Sequence, residues 1–210
     1  MSFKRWPLVS AGLLLWALCV GAYGTSLQAV EQEWEQLVTA TKKERAVKLE
    51  ALVQQLDAWV DAEPNSVPAL VWQGTALESL AREVGGFTGL RYAKQAYAAL
   101  NRAIELDPQG YDGMAQVRLG LLYERAPGWP VAFGSLKAAE ENYLAALAIR
   151  PDGVDTNFYY AAYLNFLGRK KEAMEYAKRA LEGSPRIAYQ EFEQSLQQQA
   201  KDMVGEKEEE

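Results

Sequence analysis

Ala139-Glu140-Glu141-Asn142-Tyr143-Leu144-Ala145-Ala146-Leu147-Ala148-Ile149-Arg150-Pro151 carries the pattern on which the reading of this chain turns. Ala139, Tyr143 and Ala146 lie four and three residues apart, so they share one face of a helix, and Pro151, five residues further on, stops that helix. The same offsets stand twice more, as Ala96, Leu100, Ala103, Pro108 and as Ala173, Ala177, Ala180, Pro185. Alanine on such a face lets a neighbouring helix come close. Two of the prolines open a related turn, Pro108-Gln109-Gly110-Tyr111-Asp112 and Pro151-Asp152-Gly153-Val154-Asp155. Its glycine permits a reversal, and its aspartate is expected to cap the next helix.

Ahead of each of these helices runs another segment of helical period: Val67–Val84 behind Ser66, Asp112–Arg125, and Asp155–Leu167 ending at Gly168. The repeated unit is therefore helix, turn, helix. In the second unit Leu119-Gly120-Leu121-Leu122-Tyr123 precedes Ala139, Tyr143, Ala146 and Pro151, and this Leu-Gly-x-x-Tyr with Ala-x3-aromatic-x2-Ala-x4-Pro resembles the tetratricopeptide repeat (TPR). The resemblance covers about residues 64–187, and its third copy, 154–187, has the standard 34 residues with Gly168 at the turn. It implies an all-α fold, a TPR-like α-solenoid of about three to four helix pairs with a C-terminal capping helix.

The first two units depart from the pattern. Tyr123 to Ala139 spans 16 residues where Leu164 to Ala173 spans 9, and Leu77 to Ala96 spans 19. The excess predicts inserted loops at Gly85-Gly86-Phe87-Thr88-Gly89 and at Pro127-Gly128-Trp129-Pro130-Val131-Ala132-Phe133-Gly134. Residues 25–63 read as a degenerate N-terminal helix pair, with Trp34, Leu37, Leu49, Leu52, Leu56 and Trp59 on the apolar face of Leu27–Ala62. The polar pattern Ile187–Val204 predicts the capping helix (188–204 as a unit), with Glu193 among its wet residues and Ile187, Tyr189, Phe192, Leu196 and Met203 docked. An acidic tail, 205–210, follows. Stacked pairs complete one continuous core that no single pair can bury.

Composition narrows the chemistry. The 210 residues carry 22 Lys+Arg against 28 Asp+Glu, and no strongly basic stretch lies outside 3–5, so a surface that tracks nucleic-acid phosphates has little to build on. Histidine is absent and cysteine occurs once, which removes His-dependent acid–base and nucleophile machinery and His- or Cys-rich metal sites. Asp152, Asp155 and Asn157 have the wrong spacing for an EF-hand, the adjacent Glu140 and Glu141 diverge on a helix, and no glycine-rich phosphate loop follows a strand. No catalytic residue, metal or cofactor is expected, and the chain reads as a non-enzyme.

Residues 1–24 have the form of a signal peptide, with Lys4 and Arg5 before an apolar run from Leu8 to Val20 and small residues that fit cleavage after Ala22 or Gly24. The apolar run is short for a membrane span, which needs roughly 20 residues, and an uncleaved inner-membrane anchor is the alternative. Leu18 before Cys19 departs from a lipoprotein box. Export to a bacterial periplasm is the expected localisation, with no membrane span after cleavage.

The partner-binding candidates are Trp129, Phe133, Arg125, Phe87, Asn157, Tyr160 and Tyr163. For Trp129 and Phe133 two readings stand: a rim presented to a partner, or aromatics folded back onto the helices. The same choice holds for Phe87, while Asn157, Tyr160 and Tyr163 either pack in the core or line the groove formed by the first helices of the pairs. The function expected is a protein–protein interaction scaffold whose partner belongs to the cell envelope, with nucleic acid excluded. More narrowly, Pro127-Gly128-Trp129-Pro130, Phe133-Gly134, Ala139 to Pro151, Gly153, Asp155, Asn157-Phe158-Tyr159-Tyr160 and Gly168 resemble the T component associated with TRAP transporters over about residues 119–185. That resemblance implies a helical periplasmic protein that works with a solute-binding or permease component around an apolar ligand and self-associates.

Overall fold

The computed structural model describes residues 26–205; the predicted signal peptide and the acidic tail from 206 on lie outside them. Helices are α1 (Leu27–Glu35), α2 (Lys42–Ala62), α3 (Val67–Val84), α4 (Gly86–Leu106), α5 (Met114–Arg125), α6 (Leu136–Ile149), α7 (Val154–Phe166), α8 (Lys170–Glu182) and α9 (Gln190–Gly205), with a 3-10 turn at Ile187–Tyr189 before the last. Local signals set the starts. Ser26 and Ser135 accept from the backbone N–H three residues on, and Thr41 with Glu44 forms a complete capping box. Pro68 sits in the first turn of α3, where its missing N–H costs nothing.

The helices pack as antiparallel pairs α3/α4, α5/α6 and α7/α8, with α2 laid against α3. Outer helices bury a narrow stripe: Ala96, Leu100 and Ala103, then Ala139, Tyr143 and Ala146, then Ala173, Ala177 and Ala180. The facing glycine of the Leu-Gly-x-x-Tyr segment has a steric reason, because a methyl group on Gly120 would stand 2.6 Å from the Tyr143 ring. Gly74 opposes Leu100 in the same way one unit earlier.

Inner helices α3, α5 and α7 are buried nearly all round, from Ala69 to Leu80, Met114 to Leu122 and Val154 to Ala161 except where a turn reaches solvent. The face opposite their outer partners is covered by α1, the 3-10 turn and α9. Trp34 of α1 meets Trp72 of α3 and Phe192 of α9 edge-on at 5.6 and 5.5 Å, and Tyr189 closes on Trp72 at 5.6 Å. The capping helix thus does more than end the stack, since it folds back and fills the inner face with α1.

Three expectations need correction. Gly86, Phe87, Thr88 and Gly89 are not a loop but the first turn of α4. Gly85 alone separates α3 from α4, and the excess length has gone into helices of 18 and 21 residues. A methyl on Gly89 would press on the Ala81 carbonyl oxygen at 2.5 Å, so its absence lets the helices cross there. Neither turn aspartate is a cap residue: Gly110, Tyr111, Asp112 and Gly113 all take positive φ, 53 to 79°, and Gly113 caps α5, while Gly153 caps α7 and Asp155 lies inside its first turn, paired with Arg186. Glu193 of the last helix is wholly buried and Ile187, in the 3-10 turn before it, is 92% exposed, the reverse of what the amphipathic pattern predicts at these two positions, while Tyr189 and Leu196 are buried as expected.

Candidate functional site

Loop 126–135 carries the insertion of the second unit and is closed by backbone contacts. The Gly134 N–H donates to the Pro127 carbonyl at 2.9 Å and the Ser135 N–H to the Tyr123 carbonyl at 2.9 Å. A side chain on Gly134 would run into the Ala126 and Pro127 carbonyls, which explains glycine at that crossing. The Trp129–Pro130 peptide is cis. Phe133 folds back: it stacks on Tyr97 of α4 at 4.5 Å and meets Tyr123 edge-on at 5.9 Å, and the two tyrosine hydroxyls share a hydrogen bond of 3.1 Å. Burial and that bond push the Tyr123 hydroxyl up to about 12. Trp129, in contrast, is 89% exposed.

Pinned in this way, the loop faces the start of α4 across an open cavity of about 500 Å³, walled by Ala81, Leu90, Ala93, Leu121, Leu122, Pro127 and Val131. Phe87, 94% exposed, stands at its edge. Arg125 and Glu78 line its polar side, where Arg125 Nη1 donates to Glu78 Oε1 at 3.0 Å and Arg118 Nη1 reaches Glu78 Oε2 at 3.4 Å. Glu78 is buried, and the two guanidinium groups supply the ion-pair and hydrogen-bond partners that a desolvated carboxyl group needs. Arg118 also lies over the rings of Trp34, Tyr159 and Phe192 at 5.4, 5.5 and 5.9 Å.

Four predicted residues, Trp129, Phe133, Arg125 and Phe87, therefore meet at one end of the molecule, two of them exposed, one paired and one packed. The other three lie elsewhere and inside. Asn157 donates its amide to the Pro151 and Gly153 carbonyls at 2.7 and 2.8 Å and so fixes the turn into α7. Tyr160 donates to Glu140 at 3.1 Å and Tyr163 to the Leu136 carbonyl at 2.8 Å. Burial, with Glu140 beside it, pushes the Tyr160 hydroxyl up to about 12. All three residues are buried rather than lining an open groove.

A second opening, about 550 Å³, remains on the inner face between the α1–α2 turn and α9, walled by Arg45, Arg82, Glu83, Tyr159, Phe192 and Ser195 among others. Next to it lies an ion cluster that the sequence did not reveal. Arg186 reaches Asp155 at 2.9 Å and Glu193 at 2.6 Å through Nη1, and its Nη2 donates to the Asp112 carbonyl at 2.9 Å. Arg150 adds contacts to Asp155 and Glu193 at 3.5 and 3.4 Å. Desolvation raises the Glu193 carboxyl above the ordinary range while the arginines pull it down. Asp112 and Asp155 occupy equivalent places in the two Pro-x-Gly-x-Asp turns, so the repeat itself supplies the sockets for Arg186. A charged residue inside an apolar helical run, as with Glu78 and Arg118, was the available signal for such pairing.

Among the described residues no helix is long and apolar enough to cross a membrane. Neither a protein-family profile nor a curated protein sequence matches the chain. In structure it is similar to a thermophilic TPR protein of Thermus thermophilus, with a TM-score of 0.58 and 19% identity, over 85% of this chain and 88% of that one. Repeat spacing, helix pairing and that likeness agree on the architecture: this chain is a helical solenoid of TPR-like fold closed by a C-terminal helix.

Proposed function

We propose that the protein is a non-catalytic interaction scaffold, exported to the bacterial periplasm, that holds an apolar segment of a cell-envelope protein in the cavity between α3, α4, α5 and the loop 126–135. One observation carries the reading: α1 and α9 cover much of the inner face and leave there an opening lined by the charged Arg45, Arg82 and Glu83, while the cavity of about 500 Å³ beside the loop 126–135 has a mainly apolar wall. A partner side chain entering it removes apolar area from water on both molecules. The Arg118–Glu78–Arg125 group at its side offers a charged handle that orients the partner.

The test places a photo-crosslinking residue at Val131 in cells, with Ala93→Phe to fill the cavity and a crosslinker at Glu175 on α8 as the control. Crosslinking to one envelope protein from Val131, suppressed by Ala93→Phe and missing from Glu175, is the expected result. Equal labelling from both positions, or substrate turnover by the purified protein, overturns it. A narrower reading, a TRAP-associated T-component-like protein beside a solute-binding subunit, is favoured by the aliphatic wall, which suits an apolar small molecule as well as a side chain. Native mass spectrometry separates the two, because only the narrower reading leaves an apolar molecule bound to the purified protein.

A further inference from the structure

Residues 84–104 and 126–139 contain no aspartate or glutamate and carry Arg91, Lys94, Arg102 and Lys137, in a chain whose net charge is −6. The stack of Phe133 on Tyr97 sets these two stretches side by side. Arg102 and Lys137 are engaged locally, with Glu105 and Glu141. Arg91 and Lys94 are exposed on the stripe of α4 that begins at Phe87, one and two turns on, and the three residues line one shallow depression with Leu90. On the other side of Phe87 lies the cavity mouth with Val131, 57% exposed, and two residues before Val131 stands Trp129. The acids at this end of α3 are already neutralised: Glu78 by Arg118 and Arg125, Glu83 by Arg45. The result is a cationic, aromatic end on an acidic molecule.

We propose that this end seats the protein on an anionic lipid bilayer, with Phe87 and Trp129 entering the headgroup region and Arg91 and Lys94 contacting lipid phosphates. Protein interfaces are depleted of lysine at their centres. A bilayer boundary favours aromatic side chains flanked by long basic ones that reach up to the headgroups. Charge complementarity points the same way, since an acidic body is repelled from an anionic surface everywhere except at an acid-free face. The inference goes beyond the scaffold reading and does not depend on the cavity's occupant, because Arg91 and Lys94 lie outside the cavity.

The chain beginning at Thr25, the form expected after cleavage of the signal peptide, takes the apolar N-terminal run out of the measurement, and its helical circular dichroism and cooperative unfolding are established first. That protein is sedimented with vesicles of phosphatidylglycerol and phosphatidylcholine, and with vesicles of phosphatidylcholine alone, at low and physiological salt. Binding is expected only with phosphatidylglycerol. Arg91→Ser and Lys94→Ser each lower the partition about fivefold, the ratio that corresponds to about 1 kcal/mol per basic residue at such a surface. Phe87→Ser with Trp129→Ser weakens binding in high salt as well, because that part of the attraction is not ionic. Equal binding to both vesicle types, no binding to either, or indifference to the Arg91 and Lys94 changes overturns the proposal. If the Val131 crosslink persists while vesicles fail to bind, the scaffold reading stands and this one falls. Capture of an acidic protein by the same face, without vesicle binding, likewise overturns it in favour of a protein partner.

Discussion

The two ends of the solenoid are built on one repeat plan and finished differently. Around α7, α8 and α9 three tyrosines are buried with their hydroxyls bonded, Tyr143 to Glu124, Tyr160 to Glu140 and Tyr163 to the Leu136 carbonyl, while Phe166 at the end of α7 is exposed. Around α3, α4 and the loop 126–135, Phe87 and Trp129 face solvent beside an open cavity. The third unit has the standard length, whereas the first two carry extra residues, and all of the extra length lies at the open end. A repeat thus has little freedom where neighbouring helices must pack through an alanine stripe. It gains surface only where its helices lengthen past that stripe or the turn between them grows. Length beyond the repeat is therefore where a binding surface is sought, and the sealed end is where stability is.

Substitutions at the sealed end should cost the most. Arg186→Ala removes the group that joins Asp112, Asp155 and Glu193, and it leaves two buried carboxylates with Arg150 alone. Removing one member of a buried pair costs about 3–5 kcal/mol, read as a lower midpoint in urea. A loss below about 1 kcal/mol, the ordinary worth of an exposed pair, would show that the C-terminal helix is not held by this cluster. Next in size is Gly120→Val, which pushes into the Tyr143 ring at the α5–α6 contact and should cost up to about 3 kcal/mol. Combining it with Tyr143→Leu, which withdraws the ring, should recover part of that loss, and no recovery would break the steric account of the glycine.

Much of this division was legible in the sequence, and the limits have physical causes. The nine positions at offsets of four and three are all buried, because a helix period is a local property and any neighbour helix reads it. The start and end of α3 are also legible, from Ser66 and Gly85. Glu193 is not. Periodicity counts an acid as wet, and only the arrival of Arg186 and Arg150, the latter 43 residues away, makes its burial tolerable. Gly86 and Gly89 read as loop for the same reason, since glycine favours turns, yet Gly89 serves close contact with the Ala81 carbonyl inside a helix pair. In the loop 126–135 no period exists. Phe133 and Trp129 stand in it four residues apart, and the contacts with Tyr97 and Tyr123, distant in sequence, place Phe133 inside.

Alkaline pH addresses both ends at once, with an intermediate effect. Tyr160 at the sealed end and Tyr123 under the loop have hydroxyls pushed up to about 12, mainly by burial, against about 10 in an unfolded chain. The folded protein therefore holds these protons more tightly than the unfolded one. Their contribution is complete below pH 10 and is lost as pH rises from 10 to about 12. Urea midpoints should fall across that window, by no more than about 2 kcal/mol in unfolding free energy for each tyrosine once solvent screening of the hydroxyls is allowed for. The double variant Tyr123→Phe with Tyr160→Phe should start lower at about pH 8, where both hydroxyls are still protonated, through two missing hydrogen bonds, and then decline less steeply. An equal decline in both proteins would mean that other groups govern alkaline unfolding.

The smallest expected effect is the sharpest test of the contrast. Phe87→Ser and Trp129→Ser remove the two most conspicuous apolar side chains of the open end, yet at 94 and 89% exposure neither has apolar area left to lose from the interior. Each should change stability by no more than about 0.5 kcal/mol, the usual range for a surface substitution. Phe133→Ser, four residues after Trp129 in the same loop, breaks the stack on Tyr97 and the edge contact with Tyr123 and should cost several times as much. If Trp129→Ser proved as costly as Phe133→Ser, the tryptophan would be packed in solution and the cavity would be closed. The open end would then be a second sealed one, and the extra length in the first two repeats would need a structural explanation instead of a functional one.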